Sequence, residues 1–130
     1  MEINLPYKTN FSVNSMYRTT RGGKFLKREA LNLRTRIIQD VTQSVWPVHL
    51  KELQDKKLTI GIIFVENWNY KNGEERKADL DNRLKFLIDS VFTALGLDDK
   101  MIYEIYARKG ESELMEATTI TIEEMEEPIW

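Results

Sequence analysis

Residues 57–108 constrain the fold most. Lys57 to Val65 reads as a strand rich in β-branched residues, and Ile60, Ile62, Ile63, Phe64 and Val65 make it apolar on both sides. That pattern belongs to a strand in the interior of a sheet. A polar stretch follows over 66–78, with Trp68 and Tyr70 embedded, and reads as a long loop. Loops of that length inside compact domains are often functional. Leu84, Leu87, Ile88, Val91 and Leu95 then recur at helical spacing, and Gly96 ends a helix predicted over 81–95. A second strand is predicted over 101–108. Two strands of one sheet joined by a helix form a parallel, right-handed crossover.

The remainder builds around that unit. Ile3 and Leu5 alternate with polar residues, so 2–6 reads as a short strand. The β-prone runs flanking Gly22 and Gly23 predict a hairpin over 16–26, a projecting arm that carries cations. Ala30, Leu33, Ile37, Val41 and Val45 predict an amphipathic helix over 28–45. Trp46 to Leu50 reads as a loop. Residues 114–124 form the last strand, expected to pair antiparallel with 101–108 around the turn 109–112 and so to edge the sheet. The expected fold class is α/β (α+β), a mixed β-sheet with two main helices. No repeat, low-complexity tract or linker divides the chain, so 1–130 is expected to be one domain, long enough for a real core.

Composition narrows the chemistry. There is no cysteine, which removes disulfides, thiolate metal sites and cysteine nucleophiles. The one histidine, His49, sits in the expected loop and is read as structural or merely exposed. Carboxylate and amine chemistry remain. No apolar run approaches the ~20 residues of a membrane span, and the first residues lack the pattern of a secretory signal. A cytoplasmic location is expected. The net charge of -2 hides an asymmetry. Arg18, Arg21, Lys24, Lys27, Arg28, Arg34 and Arg36 face one acid, Glu29, whereas 111–127 holds glutamates and no base. Each block reads as a solvated face, or, for the basic one with its interleaved Tyr17 and Phe25, as a surface for phosphates and bases.

No other part of the chain concentrates so many hard oxygen ligands beside a lysine as the run with Asp79, Asp81, Asn82, Asp89, Asp98 and Asp99, which has Lys85 among them. Each piece has a plain structural reading. Aspartate at a helix start caps free N–H groups and complements the dipole. Asp81, Lys85 and Asp89, four residues apart, form a polar ridge whose i,i+4 pairs contribute only ~0.2–0.5 kcal/mol each. Asp98 and Asp99 suit a polar turn. The combination says more. Phosphodiester hydrolysis needs a nucleophilic water and stabilisation of developing charge, and Mg²⁺ supplies both. Mg²⁺ takes one or two carboxylates plus waters and phosphate oxygens. A nearby lysine neutralises the phosphate or the leaving oxygen.

The run Asp79, Leu80, Asp81, Asn82, Lys85, with Asp89 and then Asp98 and Asp99, resembles the RusA-type Holliday junction resolvases. Asn14 and Tyr17, followed by arginines and lysines, are similar to that family's opening. The likeness spans about residues 3–122. It implies a homodimeric, Mg²⁺-dependent crossover junction endodeoxyribonuclease, with Mn²⁺ as a substitute ion, acting on branched DNA in recombination and repair. It places the catalytic, metal-holding aspartates on Asp79, Asp81 and Asp99 and the functional lysine on Lys85, with Asp89 and Asn82 supporting. Asn14, Tyr17, Arg18, Arg21, Lys24, Lys27, Arg76 and Lys77 would contact DNA. One departure is Ala78, which stands where family members often carry a basic residue or proline. It puts sequence preference in doubt rather than the metal site.

A helix over 82–95 is ~20 Å long, so Asp81 and Asp99 lie at opposite ends unless the chain doubles back. Two such helices antiparallel about a two-fold axis would bring one chain's Asp99 to the other's Asp81. A loop returning within one chain is the alternative. Tyr17, Phe25, Trp68 and Tyr70 are candidates to stack on exposed bases, or else are packing aromatics. Two other functions compete: a structure-specific DNA-binding protein that does not cleave, with its aspartates serving only as caps and turns, and a metal nuclease acting on flaps or other branched nucleic acid.

Overall fold

The computed structural model describes residues 1–10, 17–20, 23–69 and 80–127, with 17–20 and 23–26 described by their backbone alone. The elements are β1 (Glu2–Leu5), β2 (Tyr17–Thr20), β3 (Gly23–Leu26), α1 (Arg28–Ser44), α2 (Pro47–Leu53), β4 (Leu58–Glu66), α3 (Leu80–Leu95), a short 3-10 turn (Asp99–Met101), β5 (Ile102–Glu111) and β6 (Ala117–Glu124). Among the described residues a mixed sheet has the order β1-β6-β4-β5, and β2 and β3 pair separately as the predicted antiparallel hairpin.

β4 lies inside the sheet, parallel to β5 and antiparallel to β6. Its alternate residues Leu58, Ile60, Ile62 and Phe64 are fully buried, and the intervening ones are half-buried. The predicted two-sided burial is therefore complete on one face only. That face continues through Ile3 and Leu5 of β1 and Ile120 and Ile122 of β6, with Ile62 opposite Ile120 and Ile60 opposite Ile122. The helices supply the rest of this core: Ala30, Ile37 and Val41 from α1, and Phe86, Leu87, Ile88, Val91, Phe92 and Leu95 from α3. α1 packs along α3. Covered by the sheet on one side and α1 on another, α3 buries more of its circumference than the predicted stripe.

Two expectations are corrected. Residues 101–108 and 114–124 do not form a hairpin, and the last strand is not the edge. β4 lies between β5 and β6, and the edge strands are β1 and β5. β6 pairs with β4 on one side and β1 on the other, and its Ile120 and Ile122 are buried in the core. Residues 112–116 carry the chain past the end of β4, where the Ser112 N–H donates to the Glu66 carbonyl at 3.1 Å. The stretch read as a loop around His49 is instead α2, with Pro47 in its first turn. Proline presets the φ of that position and has no N–H to leave unpaired there. His49 is exposed on this third helix. Near the end of the described chain, Glu124 pairs with Lys56 at 3.9 Å and Glu127 with Lys57 at 3.1 Å.

The end of β4, the start of α3 and the segment after β1 meet on one side chain. Arg83 is 4 % exposed and Glu66 1 %. Arg83 Nη1 and Nη2 donate to the two Glu66 carboxylate oxygens, each at 2.9 Å. Its Nε and Nη2 also donate to the Thr9 carbonyl at 2.9 and 2.7 Å. The guanidinium lies 4.5 Å from the Phe64 ring centroid and 5.1 Å from that of Trp68. Trp68 is buried and its indole N–H donates to the Gly110 carbonyl at 3.0 Å, so it packs rather than stacking on a base.

Removing one member of such a pair leaves the other charged and buried, at a cost of about 3–5 kcal/mol. Arg83→Leu is expected to lose stability on that scale in urea unfolding. Combining it with Glu66→Leu is expected to recover much of the loss. A single variant within about 1 kcal/mol of wild type would show that the clamp does not hold these elements together.

Candidate active site

α3 presents Asp81 in its first turn, Lys85 one turn on and Asp89 a turn further. Asp81 and Lys85 are exposed and Asp89 is half-buried. Beyond the helix the chain reverses at Gly96, whose φ of +68° is the left-handed conformation glycine adopts without strain. The Leu97 N–H donates to the Phe92 carbonyl at 3.2 Å and the Gly96 N–H to that of Thr93 at 3.3 Å. This Schellman pattern satisfies the last carbonyls of the helix and turns the chain back. Leu97 packs on the core. The Asp98 carboxylate then accepts from the Lys100 N–H at 2.9 Å and caps the 3-10 turn that begins at Asp99.

The result is a concavity of about 290 Å³ lined by Arg34, Asp89, Phe92, Thr93, Leu97, Asp98 and Asp99. The chain thus doubles back within one protomer, as far as Asp89. Asp81 lies eight residues earlier on the same helix, about 12 Å along its axis.

The aspartates sort by what they already do. Asp40 accepts from the Tyr7 hydroxyl at 2.6 Å and faces Arg36 at 3.9 Å. Asp98 caps a turn. Among the described residues, the carboxylates of Asp81, Asp89 and Asp99 make no hydrogen bond and no ion pair within 4.0 Å. Burial is the largest influence on Asp89 and pushes its carboxyl up; Lys85 pulls it down, Asp99 pushes it up and Arg34 pulls it down, and the net shift is upward. Of the three carboxylates on this concavity Asp98 serves as a cap, and the other two, Asp89 and Asp99, suit a hard divalent cation that takes one or two carboxylates and keeps several waters. They also suit it chemically, because a cation relieves the repulsion between them.

No three acidic or histidine side chains among the described residues stand as a metal-ligand group. Asp79 lies outside the described residues, as do Asn14, Arg21, Tyr70, Arg76 and Lys77. Tyr17, Arg18, Lys24 and Phe25 lie on β2 and β3, whose side chains are not described. Lys27 is half-buried and directly precedes α1.

Arg34 was not singled out from the sequence, although a signal for it exists. Ala30, Arg34, Ile37 and Val41 fall at i, i+4, i+7 and i+11, so a cation occupies the apolar stripe of α1. Glu66 and Arg83 gave less warning, since one ended a strand and the other sat inside a motif noted for its aspartates. No helix among the described residues is long and apolar enough to cross a membrane.

The raised Asp89 pKa has a sign. The native state binds this proton more readily than the unfolded chain, so the contribution to stability is full at low pH and is lost as pH rises through the folded value. Asp89→Asn is therefore expected to melt at or above wild type at neutral pH in chelator. The gap should close as pH falls through the carboxylate range, and in divalent cation as wild type gains. A variant that melts well below wild type in chelator at neutral pH would show that the Asp89 charge stabilises the fold on its own.

No curated protein matches the chain in a sequence search. The family model for endodeoxyribonuclease RusA matches residues 6–123, nearly the whole chain and every element from the Arg83 clamp to the returning Asp99. The chain belongs to the RusA endodeoxyribonuclease family, whose members are nucleases that resolve Holliday junctions.

Proposed function

We propose that this protein is a Mg²⁺-dependent resolvase that cuts four-way DNA junctions by paired nicks as a homodimer, in recombination and repair. The observation that carries the reading is the return of Asp99 onto the α3 ridge, beside Asp89, whose carboxylate makes no hydrogen bond and no ion pair within 4.0 Å among the described residues. Asp79, Asp81 and Asp99 would hold the metal, and Mn²⁺ would serve in its place. When bound, the cation activates water and stabilises developing charge on the phosphate. Lys85, one turn from both Asp81 and Asp89, would offset charge on the phosphate or the leaving oxygen. Asp89 and Asn82 support the site from the same helix. Asn14, Tyr17, Arg18, Arg21, Lys24, Lys27, Arg76 and Lys77 would hold the DNA, with affinity falling steeply in salt.

The dimer has a chemical rationale. Within one chain Asp99 returns only to the level of Asp89, about 12 Å along the axis from Asp81. Magnesium ligands sit ~2.0–2.1 Å from the ion. A two-fold partner would supply the missing Asp99 to each Asp81. A dimer also matches the symmetry of a junction cut on two opposed strands.

Cleavage of a synthetic four-way junction, with linear duplex as control, tests the reaction. Paired nicks are expected on the junction alone, with loss in chelator and a fall of at least about 100-fold in Asp81→Asn. Tight junction binding without cleavage in Mg²⁺ or Mn²⁺ would sink the enzymatic reading. Efficient cutting of flaps in preference to junctions would replace the substrate. Mixing Asp81→Asn with Asp99→Asn tests the shared site. Cross-subunit assembly restores one intact site per heterodimer and single nicks return, whereas assembly within one chain leaves both sites dead.

A further inference from the structure

We infer that Arg34 is a further catalytic residue, gripping the scissile phosphate from the side of the site opposite the aspartates. The inference rests on the nuclease reading above and deepens it. Arg34 comes from α1, whereas Asp89, Asp98 and Asp99 come from α3 and the turn after it, and all four line one concavity. The guanidinium therefore faces the carboxylates across the packed α1–α3 seam.

Arg34 is placed like a residue awaiting a ligand. It is half-buried on the packing stripe of α1, flanked by Ala30 and Ile37, both fully buried. A cation there loses hydration, and a structural arginine in that position would normally close an ion pair. The neighbouring arginines do so: Arg36 lies 3.7 Å from the Tyr7 ring centroid and 3.9 Å from Asp40, and Arg83 grips Glu66. Among the described residues Arg34 makes no ion pair within 4.0 Å and no hydrogen bond. The concavity of about 290 Å³ that it shares with the carboxylates has room for a phosphate with a cation and waters.

The arrangement suits phosphoryl chemistry. A cation held by Asp99 would touch one non-bridging oxygen, and the planar Arg34 fork would donate to another in a geometry lysine cannot copy. In the hydrolysis a water gives up a proton as its oxygen bonds to phosphorus, the bond to the leaving sugar oxygen breaks, and that oxygen takes up a proton, so that no net proton is gained or lost in forming the hydroxyl. Arg34 exchanges no proton; it stabilises charge on the phosphate as the bond order changes. Lys85 is exposed on the α3 ridge and does not line this concavity, so the two cations act at different points.

The test is single-turnover junction cleavage by Arg34→Ala and Arg34→Lys, with junction binding measured in Ca²⁺ and Asp99→Asn run in parallel. Arg34→Ala is expected to cleave about 100-fold slower or worse while binding within about threefold of wild type. Arg34→Lys should recover only part of the rate, and added guanidinium should rescue Arg34→Ala but not Asp99→Asn. Cleavage by Arg34→Ala within about threefold of wild type overturns the inference, and so does a rate loss matched by the loss in binding. If Arg34→Ala does not fold, Arg34→Lys decides: wild-type cleavage rules out the fork geometry. An inactive Asp99→Asn beside an active Arg34→Ala removes this inference alone. An active Asp99→Asn removes the site reading beneath it.

Discussion

The buried contact of Arg83 with Glu66 and the Thr9 carbonyl is the constraint on which the working side of the molecule depends. An arginine and a glutamate taken out of water are stable only if every charge-bearing atom finds a partner. Here the fork is used fully, two donors on one carboxylate and two on a backbone oxygen. Three elements distant in sequence are thereby held in one register. Thr9 precedes the residues that lead to the basic hairpin, Glu66 ends the central strand, and Arg83 lies two residues after Asp81. Small shifts at any of the three would move the first turn of α3.

The second constraint is at the other end of that helix. Gly96 adopts a conformation that other residues take with strain, and Leu97 is drawn back onto the core. The Asp98 cap then sets the direction of the following turn, and Asp99, though exposed, lines the same concavity as Asp89. The carboxylates of the site are thus fixed from both ends of one helix, by a buried ion pair at its start and a glycine reversal at its finish. α1 adds the third wall. The α1–α3 packing is hydrophobic through Ile37, Val41 and their α3 counterparts, and Arg34 rides on it into the site.

Partition of the charged residues follows from the same logic. Arg36, Asp40, Glu66 and Arg83 are consumed in holding elements together. Asp81, Lys85, Asp89 and Asp99 lie along the exposed side of α3 and its return, with no such duty among the described residues. Raising the pKa of Asp89 is a stability cost, and it falls where a divalent cation would offset it.

Much of this was legible in the residues. Hydrophobic periodicity located α1 and α3, because burial of one face of a helix leaves a 3.6-residue period, and the β-branched apolar run over 57–65 located β4. Gly96 marked the end of α3, since glycine takes the left-handed conformation of that reversal without strain. The run with Asp79, Asp81, Lys85, Asp89 and Asp99 carried the resemblance to the family whose model the chain matches. Strand order was not legible. Residues 101–108 and 114–124 look like hairpin partners because local proximity is all a sequence displays. Burial of Ile120 and Ile122 instead favours insertion of β6 beside β4. The α2 helix hid behind a proline that reads equally as a break and as a first turn. Arg34, Glu66 and Arg83 were hidden for a deeper reason. A charged residue announces its charge in the sequence, but whether that charge is solvated, paired in the core or turned into a site depends on which distant segment packs against it. The sequence determined the elements and the chemical kit; the tertiary structure decided which charges hold the fold and which are left free to act.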